Sequence, residues 1–109
     1  RCTKGEVLDV VLDLRKNSKT YLKSHFIKLS EKNKAQLLIP RGFAHGFIVL
    51  SPKAIFSYKV DQYYNQKYEK GIFWNDPQLN INWPINKDKI IVSEKDKNLP
   101  LLSNTFNPF

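Results

Sequence analysis

The feature that most limits what this chain can fold into is its punctuation. Short β-prone runs follow one another, each broken by turn residues, and no helix-period segment of useful length competes with them. Arg1-Cys2-Thr3 reads as the interior of a strand. Glu6 to Leu14 mixes alternation with β-branched residues and predicts a strand, Arg15 to Thr20 a polar turn, and Tyr21 to Leu29 a second strand. Ser30 to Lys34 is a turn, and Ala35 to Ile39 a short apolar strand ended by Pro40 and Gly42. Phe47 to Leu50 follows, then a Ser51-Pro52 turn, an alternating run from Ala54 to Asp61, and a short strand from Gly71 to Trp74. Strands at this spacing predict an all-β sandwich or barrel. From Asn75 onward the chain is rich in Pro and Asn and reads mostly as loop. Ser93-Glu94-Lys95-Asp96 fits the Ser-x-x-acid capping box that opens a short helix near 93–97.

Composition bounds the rest. A chain of 109 residues, 41% apolar and 13% aromatic, suits one core and argues against disorder. It has no run of about 18 apolar residues, so no membrane-spanning helix is expected, and no signal-peptide pattern opens it. A single cysteine, Cys2, cannot form an internal disulfide, which points to a reducing compartment, the cytoplasm. The net charge of +8 attracts polyanions, but the lysines are scattered without a basic block. A solvated surface is therefore the plainer reading, and no nucleic-acid partner is expected. The chain holds no methionine, so residue 1 is not expected to be a translation start, and the sequence reads as part of a longer or processed polypeptide.

Few residues offer chemistry. His25 lies in an alternating run without patterned neighbours, which favours a structural role. His45 sits in Ile39-Pro40-Arg41-Gly42-Phe43-Ala44-His45-Gly46-Phe47, where flanking glycines permit close approach of backbone or ligand. Residue chemistry alone leaves a satisfied core histidine and a functional one equally open. Two isolated histidines and one cysteine make a poor metal set. Neither a nucleophilic Ser/His or Cys/His signature nor a Gly-rich phosphate loop is present. Tyr58 and Tyr64 are separated by an even number of residues and can share a strand face, with Tyr63 on the other. Aromatic packing is the bland alternative for both, as capping is for Asp96.

With these residues in view, the chain resembles the dTDP-4-dehydrorhamnose 3,5-epimerase family. The resemblance rests on Arg1 to Arg15 (RCTKGEVLDVVLDLR), Gln36 to Phe47 (QLLIPRGFAHGF), Tyr58 to Tyr64 (YKVDQYY), Gly71 to Pro77 (GIFWNDP) running on to Ile81-Asn82-Trp83-Pro84, and Val92 to Asp96 (VSEKD). It spans almost the whole chain in order. It implies a cupin-type jelly-roll sandwich that forms a homodimer, incomplete on its N-terminal side, with residues 1–109 as the C-terminal portion of one domain. Pro40-x-Gly42-x-x-His45 looks like part of the second cupin motif. The paired His-x-His of metal cupins is absent, in keeping with a family that needs neither metal nor cofactor.

The family reaction inverts C3 and C5 of a dTDP-linked 4-keto-6-deoxy sugar, in dTDP-rhamnose formation. A proton beside a ketone is removable because its charge passes to the carbonyl oxygen, so such an enzyme needs a base, an acid on the other face and a charge near the oxygen. By position, Tyr58 matches the acid, and Asp96 matches the aspartate that orients the base histidine. Tyr64 matches the aromatic residue that stacks on thymine, His45 a histidine lining the sugar pocket, and Lys95 a residue facing the substrate. The family's base histidine, its lysine and its diphosphate-gripping arginines would precede Arg1, so residues 1–109 alone are expected to be inactive. Three alternatives are a binding-only cupin, an epimerase acting at C3 or C5 alone, and a metal cupin.

Overall fold

The computed structural model describes residues 1–109. Five strands form two small sheets: β1 (Cys2–Lys4), β2 (Glu6–Asp13), β3 (Ser24–Ser30), β4 (Phe43–Val49) and β5 (Ile55–Phe56). One sheet has the order β3-β2-β4, antiparallel throughout, and the other pairs β1 with β5. A short helix, α1 (Glu94–Lys97), and three single 3₁₀ turns complete the chain.

The central strand explains the architecture. Val7, Asp9 and Val11 of β2 lie opposite Leu29, Ile27 and His25 on one side, and opposite Val49, Phe47 and His45 on the other. Facing partners in antiparallel strands share a sheet face, so these residues form one surface. The β1–β5 layer covers part of it: Cys2, Val7 and Leu29 are buried together, with Ile27, Ala35, Leu37, Ala54 and Phe56 packed around them. The opposite face carries Leu12, buried with Leu79 and Leu102 and flanked by Leu14, Leu22, Ala44, Ile72 and Ile81. β2 is thus covered on both sides, which accounts for the apolar run Val10-Val11-Leu12 within it. Each such aliphatic side chain contributes about 1.5–3 kcal/mol on burial.

The C-terminal third is irregular yet tied down. Buried Asp76 accepts N–H bonds from Gln78 (2.8 Å) and Leu102 (2.7 Å). Trp83 Nε1 donates to the Trp74 carbonyl at 2.9 Å, and Phe73 N–H donates to the Pro100 carbonyl at 2.8 Å. Ser93 Oγ accepts the Asp96 N–H at 3.2 Å and caps α1, where the capping pattern placed it.

Several strand boundaries differ from the sequence reading. β3 starts at Ser24 rather than Tyr21, because Leu22 adopts a positive φ of 59° and prolongs the turn. Ala35 to Ile39 alternates between half-buried and exposed positions as expected, but has no neighbouring strand to pair with and is not a strand. Gly71 to Trp74 is half-buried throughout and is not a strand either. Only Ile55–Phe56 of the Ala54–Asp61 run pairs, with β1. β4 begins at Phe43, earlier than Phe47, directly after Gly42 at φ 91°; a Cβ there would meet Arg15 Cγ at 2.7 Å.

The β2–β3 turn is organised by Asp13, which is buried. Its carboxylate accepts from Arg15 N and Nε (both 2.9 Å), Arg15 Nη2 (2.9 Å) and Thr20 Oγ1 (2.6 Å). Arg15 in turn lies 4.8 Å from the Phe43 ring centroid. The Arg15 hydrogen bond holds the Asp13 carboxyl far below the usual carboxylate range, outweighing the opposing effect of burial. A depressed folded-state pKa stabilises above the unfolded value of about 3.9 and loses that stability as pH falls below it. The melting temperature should therefore drop as pH is lowered through about 4. Asp13→Asn should melt lower at pH 6 and show a flatter dependence below pH 4, as circular dichroism melts across pH 2–6 would reveal. An unchanged pH slope in Asp13→Asn would remove the carboxylate from this role.

Candidate active site

β4 projects His45 and Phe47 from one face, and β2 brings Asp9 beside them. His45 Nε2 lies 2.9 Å from Asp9 Oδ2 in hydrogen-bond geometry and equally close to Oδ1. An ionised carboxylate only accepts, so Nε2 carries the proton. Asp9 is 2% exposed, and its Oδ1 has no hydrogen-bond partner. A buried carboxylate with one satisfied oxygen is costly for a fold and is a frequent mark of a functional site. His45 itself is half-exposed and paired with Asp9. Asp9 is the residue that the sequence reading missed. The signal was present as an acidic residue on the core-facing register of Val7-Leu8-Asp9-Val10-Val11.

An aromatic row runs outward from this pair. The His45 ring lies 6.0 Å from Phe56 and 6.4 Å from Phe47, nearly parallel to both; Phe47 and Phe56 are 4.4 Å apart, and Phe56 is 6.1 Å from Tyr58. Tyr58 follows β5 and is 75% exposed, so its phenol is open to a ligand. His45 and Tyr58 are therefore joined through Phe56. His25 shares this sheet face at its far edge, exposed, across Val11 from His45.

A second group lies beyond Tyr58. Tyr64 donates its hydroxyl to Glu69 Oε2 at 2.8 Å, and the Lys95 ammonium pairs with Glu69 Oε1. Strand parity is not what gathers these tyrosines: the strand ends at Phe56, and the chain bends at Asp61 and Gln62. Tyr63 is fully exposed. Asp96, next to Lys95, gives its N–H to Ser93, while its carboxylate is exposed and bonds no group of the chain. The capping box is thus one-sided, and the Asp96 carboxylate is available for another partner.

No three His, Cys, Asp or Glu side chains converge on a point that could hold a metal ion. A cavity of about 430 Å³ lies away from this group, between Lys16, Tyr21 and the segment around Thr105. No helix is long and apolar enough to cross a membrane.

The Asp9–His45 pair, exposed Tyr58 and helix-borne Lys95-Asp96 thus sit on a small two-sheet frame, and comparisons with known proteins place that frame in a family. The family profile described as dTDP-4-dehydrorhamnose 3,5-epimerase matches residues 1–104. The dTDP-4-dehydrorhamnose 3,5-epimerase of Methanothermobacter thermautotrophicus is 46% identical over 106 residues, covering 95% of this chain and 57% of its own. The crystal structure of the Elizabethkingia anophelis enzyme superposes with a TM-score of 0.89 at 49% identity, over 94% of this chain and 56% of that one. A Legionella pneumophila dTDP-6-deoxy-D-glucose-3,5-epimerase, solved in complex with dTDP-4-keto-L-rhamnose, gives 0.88 at 44% identity, over 94% and 54%. The chain belongs to the dTDP-4-dehydrorhamnose 3,5-epimerase family, with its cupin-type jelly-roll fold. It spans about half the length of the relatives it matches.

Proposed function

We propose that the full-length protein converts dTDP-4-dehydro-6-deoxy-D-glucose to dTDP-4-dehydro-L-rhamnose by inverting C3 and C5. The likeness to the Legionella enzyme, solved with dTDP-4-keto-L-rhamnose, carries this reading. In this scheme the C4 ketone acidifies the hydrogens on both neighbouring carbons. A base histidine, oriented by Asp96, removes each proton, and Tyr58 returns one from the opposite face. Neither His25 nor His45 matches the position of that base. The Asp9–His45 pair contributes a polar wall to the sugar pocket, Tyr64 stacks on the thymine, and Lys95 faces the anionic substrate. The protein acts as a homodimer, a reading supported by exposed apolar Val49 and Ile55 near the sheet edges. It works in the cytoplasm, where a free buried Cys2 stays reduced.

Isotope exchange tests the reaction. In deuterated water the full-length protein should place deuterium at both C3 and C5 of the sugar, seen by NMR as loss of both proton signals. Exchange at one carbon only would reduce it to a single-site epimerase, and dTDP-sugar binding without exchange would leave a binding module.

A further inference from the structure

Arg41 has no role in the reading above, yet it is tied to the stretch of chain that carries Tyr58. Every residue from Ser57 to Lys70 is exposed, so burial of the kind that fixes β2 does not hold this stretch. β5 ends at Phe56, and Ser57 is still fastened to the first strand, its N–H donating to the Arg1 carbonyl at 2.9 Å. From Tyr58 to Tyr63 no backbone group bonds another. The one side-chain hydrogen-bond partner of those six residues is Arg41, whose Nε and Nη2 donate to Asp61 Oδ2 at 3.0 and 2.6 Å.

Arg41 serves as an anchor because its own backbone is fixed. Pro40 before it has a ring-locked φ. Gly42 after it, at φ 91°, accepts the Leu14 N–H on its carbonyl at 2.9 Å, and β4 begins at the next residue. Asp61 stands in the bend three residues beyond Tyr58, a reach of at most about 10 Å of chain.

We propose that Arg41 is a positioning residue: through Asp61 it clamps the exposed segment that carries Tyr58, and so holds the phenol in place to reprotonate the sugar carbon. The proposal rests on the reading of Tyr58 as the acid. Both partners of the clamp are exposed, so it is modest in strength and screened by salt, but the rate of a proton transfer is sensitive to small misplacements of the donor. A loosened clamp acts at one step. Once the base has taken a proton, the enolate has two fates. It accepts the Tyr58 proton on the opposite face, which inverts the carbon, or it takes back from the base a proton already exchanged with solvent, which retains the configuration. The ratio of exchange to inversion therefore reports where Tyr58 stands and does not depend on how tightly substrate binds.

The test uses Arg41→Gln and Asp61→Asn in the full-length protein, with dTDP-4-dehydro-6-deoxy-D-glucose in deuterated water. Neither change strands a buried group, so neither endangers the fold. Each should raise the ratio of deuterium exchange to inversion about threefold, the scale of an exposed ion pair. The double variant should raise it no further, since the two side chains act as one unit. Added sodium chloride should raise the ratio in the unmodified protein and leave it unmoved in the variants. Combined with Tyr58→Phe, Arg41→Gln should cost nothing more in inversion rate. An unchanged ratio in either single variant would overturn the proposal, whether or not dTDP affinity falls. Additive effects in the double variant would overturn it, as would a further loss of inversion on top of Tyr58→Phe. Undiminished inversion in Tyr58→Phe itself would overturn the acid reading, a result distinct from failure of the clamp.

Discussion

Tyr58→Phe in the full-length protein should lower net inversion by about 10²–10⁴-fold, the usual contribution of a positioned general acid. Phe preserves the ring that ends the His45–Phe56–Tyr58 row, so packing against Phe56 at 6.1 Å survives. What is lost is the transferable proton. Tyr58 is largely exposed and no other group of the chain takes its hydroxyl, so the substitution strands no buried partner and the melting temperature should move little. Abstraction by the base does not need the phenol, so hydrogen exchange with solvent should fall less than inversion. The measurement compares deuterium uptake with product formation in one reaction. Equal loss of both, or undiminished inversion, would remove Tyr58 from the acid role.

Asp96→Asn should be as damaging to turnover, and it separates two roles by their different failures. As a cap, the residue contributes through its backbone N–H, which donates to Ser93 and which Asn retains. Stability should then change by less than about 1 kcal/mol. As the partner of a base histidine, the carboxylate selects the tautomer and stabilises the imidazolium, and Asn does neither. By analogy with the aspartate of a Ser-His-Asp triad, turnover should drop by about 10⁴-fold. Melting temperature and epimerisation rate, measured on the same full-length preparation, decide the matter. A normal rate would confine Asp96 to helix α1.

Much of the scaffold was legible because β2 obeys simple rules. Its apolar content and β-branching mark a strand, and the Ser93 cap marks α1 within a residue. The boundaries that moved depend on contacts that sequence patterns do not encode. Leu22 enters the left-handed region because its N–H bonds the Asp13 carbonyl at 2.8 Å, a tertiary closure of the turn. Ala35 and Leu37 alternate because one side faces a core, but a ladder also needs a neighbour, and none lies there. Within the site, His45 was flagged by its glycines, while its partner Asp9 was hidden in a run read only for strand character. Glu69 was illegible for a different reason. It stands in the polar stretch Asn65 to Lys70, and the 3₁₀ turn Gln66–Tyr68 between them brings Tyr64 to its carboxylate. A shared strand face for Tyr58 and Tyr64 was anticipated on strand parity, but the strand ends at Phe56, before either residue.

The buried Asp9 carboxylate also constrains how the sequence can drift. Replacing His45 alone would leave a charge that is 2% exposed with no partner on either oxygen. Leaving a buried acceptor unpaired in this way costs about 1–3 kcal/mol, against a total margin of about 5–15 kcal/mol for a domain. Replacing Asp9 alone would leave His45 without the acceptor that fixes its ring. Positions 9 and 45 are therefore energetically coupled: the cost of changing one depends on which residue stands at the other.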